Sequence, residues 1–394
     1  MDNIYIILLC SLILLSYVFD LTAHLTKIPS MVLLLIIGLV VRMLAYRFNI
    51  HLPVLDPLLP ILGTIGLVLI VLDGALEIEL GLHKLKFIGR TISTAFLSIA
   101  IFCAIFALII HKLYNAPYTI CLINAIPFAV ISSSVAIPTA QILSPTKKEF
   151  IVYESSFSDI LGIIIFNFLL RGNNYLTSSV KFSAGVIAII AISAVASLFL
   201  GFLLNRITHS VKFLPILTIL VFLYAASKAV HLPALIMVLI FGLFINNSGW
   251  IMRIEVFKSL GAPISADILK SFKQVVGEFT FLVRSFFFLI FGYLINLYEI
   301  ASITLALSAA AIVILALSAR AGVLSALKVP KGAVLYIAPR GLISILLFLS
   351  IPEKSRLYSL NKELLTLVIV FSAAAMAIGL ARQKKKTVFD PLVK

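Results

Sequence analysis

Charge is scarce in this chain. Charged side chains make up 12% of its 394 residues, against about 25% in an ordinary soluble domain. Acids are the rarer sign, with 16 Asp and Glu against 31 Lys and Arg. Cysteine is nearly missing: Cys10, Cys103 and Cys121 lie scattered in apolar runs. That excludes a disulfide framework and a thiolate metal cluster. The N-terminus lacks a basic leader and a small-residue cleavage site, so Ile4–Phe19 reads as a first span rather than a removed signal. What replaces all of this is hydrocarbon. The chain is 62% hydrophobic, with a mean hydropathy of +1.18. Apolar runs of about 20 residues, parted by short polar breaks, are membrane spans. The expected fold is an all-α polytopic membrane protein, a single helix bundle in lipid. The net charge of +15 does not mark a nucleic-acid binder, because the basic residues collect in loops on one side of the bilayer.

Thirteen apolar segments can be drawn, at roughly 4–19, 28–46, 54–76, 88–111, 117–143, 149–170, 182–204, 211–229, 233–247, 274–297, 300–319, 331–351 and 363–381. On that topology twenty basic residues, Arg320 among them, fall in loops on one side and nine on the other. The bias puts the N-terminus outside and the C-terminus in the cytoplasm of a cell's inner (plasma) membrane. The basic tail 382–394 then reaches toward anionic headgroups. The longest loop, 248–273, is amphipathic through Trp250, Ile251, Ile254 and Phe257, and is expected along the interface.

The chain also repeats. Ile28-Pro-Ser-Met-Val-Leu-Leu-Leu-Ile-Ile-Gly38-Leu matches Leu232-Pro-Ala-Leu-Ile-Met-Val-Leu-Ile-Phe-Gly242-Leu. The copies are spans two and nine, an odd number of spans apart, so they cross the membrane in opposite directions. Inverted repeats of about 1–170 and 211–381 follow, joined by a connector helix at 182–204 within one membrane domain of residues 1–394. Such repeats mark many secondary transporters, which pair broken helices near the midplane. Span five carries Ile131-Ser-Ser-Ser-Val-Ala-Ile-Pro138, and its counterpart, span twelve, carries Ala338-Pro339-Arg340-Gly341. A proline within a span frees a backbone carbonyl. Irregular backbone at membrane depth must line a cavity or lie buried in protein. Ordinary proline kinks are the plain alternative.

The polar residues of span six are the costliest in the chain. A charge at the centre of a bilayer helix costs about 2.5–3.5 kcal/mol on insertion scales. Asp159 stands at the middle of the 149–170 segment, with Ser155 one turn before it; Glu154 and Ser158 form a second such pair. A carboxylate among hydroxyls is a hard oxygen site, suited to an alkali cation or a proton. Arg340, in span twelve, is the expected partner of Glu154, in a structural bridge between spans six and twelve. Arg284 is a fixed charge in span ten, with Asp159, Asp73 and the carbonyls of a half-helix end as possible partners.

Four motifs in order resemble the cation/proton antiporter superfamily, the sodium(potassium)/proton exchangers. Span three, from Gly63 to Glu77 with Asp73, is similar to the family's third span. Ser132-Ser-Ser-Val-Ala-Ile resembles its broken-helix motif. Glu154-Ser-Ser-Phe-Ser-Asp159 resembles its Glu-Ser-x-x-Asn-Asp ion site, and Pro339-Arg340-Gly341 its twelfth-span Arg-Gly motif. Arg284 stands where some members carry a mid-membrane lysine. The resemblance implies exchange of Na⁺ or K⁺ for H⁺, no cofactor, and a homodimer of 13-span protomers, each with a core and a dimerisation domain. The candidate ion and proton site is Asp159, Ser155, Ser158, Ser132, Ser133 and Glu154, with the cation on Asp159. Glu154, Arg340 and Arg284 are the structural charges, and Pro138, Pro339 and Gly341 the broken-helix residues. Ser158 replaces the usual Asn or Asp, and Ser133 the acid of the Thr-Asp-Pro branch. A single titratable acid at the site implies electroneutral exchange. Two other readings of the same residues are a broken-helix symporter for an organic anion and a cation channel or uniporter.

Overall fold

The computed structural model describes residues 10–22 (less 12 and 20), 29–47, 55–81, 84–170, 191–203, 212–229, 234–251, 264–296 and 302–381, with single residues between. The helices are α1 Ser30–Arg47, α2 Leu55–Leu76, α3 Leu85–Tyr114, α4 Tyr118–Ala129, α5 Ser133–Ala140 and α6 Pro145–Leu170. They continue with α7 Ala191–Leu203, α8 Phe213–Ala229, α9 Ala234–Asn246, α10 Ala266–Tyr293, α11 Ile303–Ala326, α12 Gly332–Tyr336, α13 Leu342–Leu349 and α14 Lys362–Ala381. Among the described residues six helical stretches are long and apolar enough to cross a bilayer, α4 and α5 counting together as one. The protein is an integral multi-pass membrane protein. In lipid each backbone N–H and C=O needs a partner inside the protein, and a helix supplies these within one segment.

The helices form two packed groups. In one, α10 lies against α1 and α2, and α9 against α2 and α8. In the other, α3 packs on α4, α6 and α11, α11 on α14, and α13 on α4. Helix α2 also touches α5, α6 and α13, so it joins the two groups.

Glycines set the closest approaches. A Cβ on Gly38 of α1 would stand 2.3 Å from the carbonyl oxygen of Leu289. One on Gly292 of α10 would stand 2.4 Å from the carbonyl oxygen of Leu35. The two backbones are therefore in direct contact. On the other side of α2, a Cβ on Gly242 of α9 would meet the Ala75 Cβ at 2.5 Å and the Leu72 carbonyl at 3.2 Å.

Helix boundaries depart from the sequence reading at two places. Helix α10 begins at Ala266 rather than near 274, because the Ser265 hydroxyl caps it by accepting from the Ile268 N–H. The last part of the expected interfacial loop is thus helix. Trp250 and Ile251 fall in a short helix, Ser248–Ile251, while Ile254, Phe257 and the tail 382–394 lie outside the described residues. Helix α11 runs on past 319 to Ala326, which carries Arg320 inside the protein. The segments at 117–143 and 331–351 are each split, into α4 with α5 and into α12 with α13.

The α1–α10 contact predicts a packing defect on substitution. Gly292→Ala forces a methyl against the Leu35 backbone and is expected to cost about 1–3 kcal/mol of stability. A lowered melting temperature of the purified protein in detergent checks this; an unchanged one contradicts the contact.

Candidate functional site

The site is built from the two gaps in the helices. The first gap, 130–132, is extended, with ψ near 120–130° at Val130 and Ser132. The Val130 N–H still reaches the Ile126 carbonyl of α4, but the next N–H groups have no helical partner and each finds another. Ile131 N–H donates to the Ser158 hydroxyl at 2.9 Å. Ser132 N–H donates to the Pro339 carbonyl at 2.9 Å. Ser133 N–H, at the start of α5, donates to Asp159 Oδ2 at 3.1 Å. The second gap, 337–341, therefore meets the first directly. Gly341 is needed there for approach: a Cβ would lie 2.5 Å from the Ser132 hydroxyl.

Arg340 answers the opposite problem, carbonyls with no N–H. Its Nε donates to the Phe128 carbonyl at 2.9 Å and its Nη2 to that of Ala129 at 3.2 Å, both at the end of α4. Its Nη1 donates to the Ala338 carbonyl, just past α12, at 2.6 Å. One cation thus covers the negative ends of two half-helices. Its own N–H donates to the Ser372 hydroxyl of α14 at 3.0 Å. Asp159 takes the complementary place, at the positive start of α5.

This overturns the expected pairing of Glu154 with Arg340. Glu154 instead receives both guanidinium nitrogens of Arg320, with Nη2 to Oε2 at 2.7 Å and Nη1 to Oε1 at 2.5 Å. Arg320 also donates to the Val334 carbonyl of α12 at 2.8 Å. Both side chains are almost sealed from solvent, at 1% and 2% exposure. The physical reason is that Arg340 has its donors committed to backbone carbonyls, so the buried acid needs another cation. The sequence reading ends span eleven at 319 and so leaves Arg320 in a loop. The signal that the span continues is the apolar run Ala321-Gly-Val-Leu-Ser-Ala326 that follows.

Pro138 also moves. It lies inside α5, six residues past the gap, so it does not break the helix. It does free a carbonyl. The N–H it lacks would have paired with Ser134, four residues earlier. That Ser134 carbonyl instead accepts from Arg284 Nη1 at 2.9 Å. Arg284 is therefore tied to span five, at a carbonyl near the start of its second half rather than at a half-helix end.

A cavity of about 80 Å³ lies beside this point, between α2, α5 and α10. Its polar lining is Asp73, Glu77, Ser133, Ser134, Thr280 and Arg284. Of the expected ligand set, the structure brings Ser133 and Asp159 together. Ser132 bonds sideways to Ser134 at 2.9 Å. Ser155 turns back to the Val152 carbonyl at 3.3 Å, and Glu154 is held by Arg320. Asp159 is 3% exposed, and its Oδ1 has no hydrogen-bond partner. Among the described residues no group of His, Cys, Asp and Glu could hold a resident metal ion.

The fold is shared with known transporters. The chain superposes on the sodium proton antiporter MjNhaP1 from Methanocaldococcus jannaschii at pH 8 with a TM-score of 0.69 and 18% identity, over 97% of this chain and 96% of that one. An electron-microscopy structure of the same antiporter gives a TM-score of 0.69 and 19% identity, over 98% and 100%. A sequence search of curated proteins finds no match. The transmembrane sodium/hydrogen exchanger family matches residues 9–382, and the chain belongs to that family. It is a secondary active transporter, not an enzyme, and couples a monovalent cation to H⁺.

The Glu154–Arg320 pair predicts an asymmetry between single and double variants. Glu154→Ala leaves a buried guanidinium uncompensated and is expected to cost about 3–5 kcal/mol. The double variant Glu154→Leu with Arg320→Met removes both charges and is expected to recover much of that loss. Thermal melting of the purified proteins checks both. If Arg340→Met rescues Glu154→Leu and Arg320→Met does not, the pairing is wrong.

Proposed function

We propose that Asp159 is the single point at which the proton and a monovalent cation, Na⁺ or K⁺, are exchanged. The observation that carries this is its free oxygen. Oδ2 is fixed on the Ser133 N–H, while Oδ1 is buried with nothing bonded to it. A buried carboxylate oxygen without a partner is costly, and a proton or a cation relieves that cost. Both neutralise the same group, so they compete, and each weakens the other's binding. Only the neutral site then crosses the hydrophobic barrier as one bundle moves against the other.

The surrounding charges fit this division of labour. Ser158 is spent on the Ile131 N–H, where it supplies a hydrogen bond and no charge. Glu154 is locked to Arg320. One titratable acid remains at the exchange point, so the exchange is electroneutral. A symporter for an organic anion would need free guanidinium groups on Arg284 and Arg340, but Arg340 is committed to three carbonyls and Arg284 donates to that of Ser134.

The wider architecture follows from the same reading. The protein has about thirteen spans in inverted repeats of about 1–170 and 211–381, with the two gaps crossing near the midplane. Support comes from the glycine contacts. Gly38 and Gly242 hold matching places in the repeated sequence, and they make matching contacts: span two on span ten, and span nine on span three. The group with α3–α6 and α11–α14 is the core domain, and that with α1, α2 and α8–α10 the dimerisation domain of a homodimer. With Arg320 inside the protein, nineteen loop cations still oppose nine, which keeps the N-terminus outside and the C-terminus in the cytoplasm of the plasma membrane.

Asp159→Asn is expected to abolish cation-dependent proton flux in reconstituted vesicles while the protein still folds. Retained exchange in that variant sinks the assignment. In the parent protein, lowering the pH should raise the half-saturating cation concentration without changing the maximal rate at saturating cation. An imposed membrane potential should leave the reversal point of exchange unmoved; a shift means that a second charge crosses.

A further inference from the structure

Two buried oxygens one turn apart on α6 lack partners: Asp159 Oδ1 and the Ser156 hydroxyl. Their i, i+3 spacing places them side by side on the helix. Ser156 is 3% exposed. Several buried hydroxyls turn back on their own helix, while Ser98, Ser197, Thr280 and Ser344 are left unpaired like Ser156 but do not share α6 with Asp159. Thr91 bonds the Ile88 carbonyl, Thr94 that of Arg90, and Ser155 that of Val152. Ser156 does not, and an unpaired buried hydroxyl is expensive to keep. Position 156 is also one that the exchanger motif Glu-Ser-x-x-Asn-Asp leaves unspecified.

The space around Ser156 is defined by Gly74 of α2. A Cβ on Gly74 would stand 3.3 Å from the Ser156 hydroxyl and 4.0 Å from that of Ser133. Ser133 is the residue whose N–H holds the other oxygen of Asp159. Gly74 and Ser133 both line the cavity that also holds Asp73 and Arg284. Gly74, which has no side chain, thus stands between the cavity it lines and the Ser156 hydroxyl of α6.

We infer that Ser156 is a ligand of the transported cation, its hydroxyl and Asp159 Oδ1 receiving the ion together in the gap left by Gly74. The inference rests on Asp159 being the exchange point. An alkali cation entering a dry site needs hard oxygens to replace the water it sheds. A serine oxygen provides lone pairs without adding charge, so Ser156 tunes affinity and ion choice and leaves the stoichiometry alone. Gly74 sets the width of the gap, and through it the size of ion that fits.

The test is proton flux driven by Li⁺, Na⁺ and K⁺ in vesicles reconstituted with full-length protein. The variants are Ser156→Ala, Ser156→Thr and Gly74→Ala, with Asp159→Asn beside them. Ser156→Ala is expected to raise the half-saturating concentration of the preferred cation roughly tenfold, and Ser156→Thr, which keeps the oxygen, to recover part of it. Gly74→Ala is expected to shift preference toward the smaller ions. Should Ser156→Ala not fold, Gly74→Ala decides alone, because its methyl narrows the gap from the facing helix. Unchanged half-saturation and ion order in both, with Asp159→Asn inactive, overturns Ser156 as a ligand and leaves the exchange point standing. Exchange by Asp159→Asn overturns the exchange point and this inference together.

Discussion

Backbone left open inside the protein is the constraint on which this structure turns. Two helices are interrupted, at 130–132 and 337–341, where the backbone is buried and must be satisfied within the protein. Each N–H and C=O described above finds a specific partner. The N–H groups of Ile131, Ser132 and Ser133, at the first gap and the start of α5, go to Ser158, Pro339 and Asp159. The carbonyls at the ends of α4 and α12 go to Arg340. A broken helix is tolerated here only because another element supplies what it lost. The two gaps are bonded to each other, so neither is formed without its counterpart.

The charges follow from that constraint. Half-helices end in partial charges that cannot cancel along a continuous axis. Arg340 sits on the negative ends and Asp159 at a positive start. Arg340 is therefore engaged with backbone and cannot also neutralise Glu154. A second buried arginine, Arg320, does so, and its third bond, to Val334, ties the pair to α12. Arg284 fills the one carbonyl that Pro138 strips of its donor. Of the two acids on α6, only one carboxylate oxygen, Asp159 Oδ1, is left without a partner.

The helix contacts place this site where the two helix groups meet. Helix α2 belongs to one group and touches α5 and α6 of the other. Its Gly74 faces Ser156 and Ser133 with no side chain between. Glycine contacts bring α1 against α10 and α9 against α2. The contact across Gly74 is looser and partly open, as the cavity beside it requires.

Much of this was legible in the sequence, because cost leaves a mark on composition. A carboxylate and a guanidinium inside apolar runs, a proline followed by Arg-Gly, and a repeated Pro–Gly spacing each stand out where charge is rare. They determine a polytopic helical protein, Asp159 as the residue to explain, and Arg340 as a buried charge at a break. What only the tertiary structure decided is who partners whom. Glu154 and Arg320 are 166 residues apart, and several guanidinium groups were available by chain order alone. The first break was expected within Ile131–Pro138, with Pro138 as a breaking residue; it falls at 130–132, at the start of that stretch, because bonds to Ser158, Pro339 and Asp159 hold the chain extended there. Ser156 gave no signal, since a serine in a helix ordinarily bonds its own backbone. Its open oxygen exists only because a glycine on another helix faces it. Local chemistry says which groups are expensive to bury; the fold alone settles which neighbour relieves each one, since that depends on distances across the bundle.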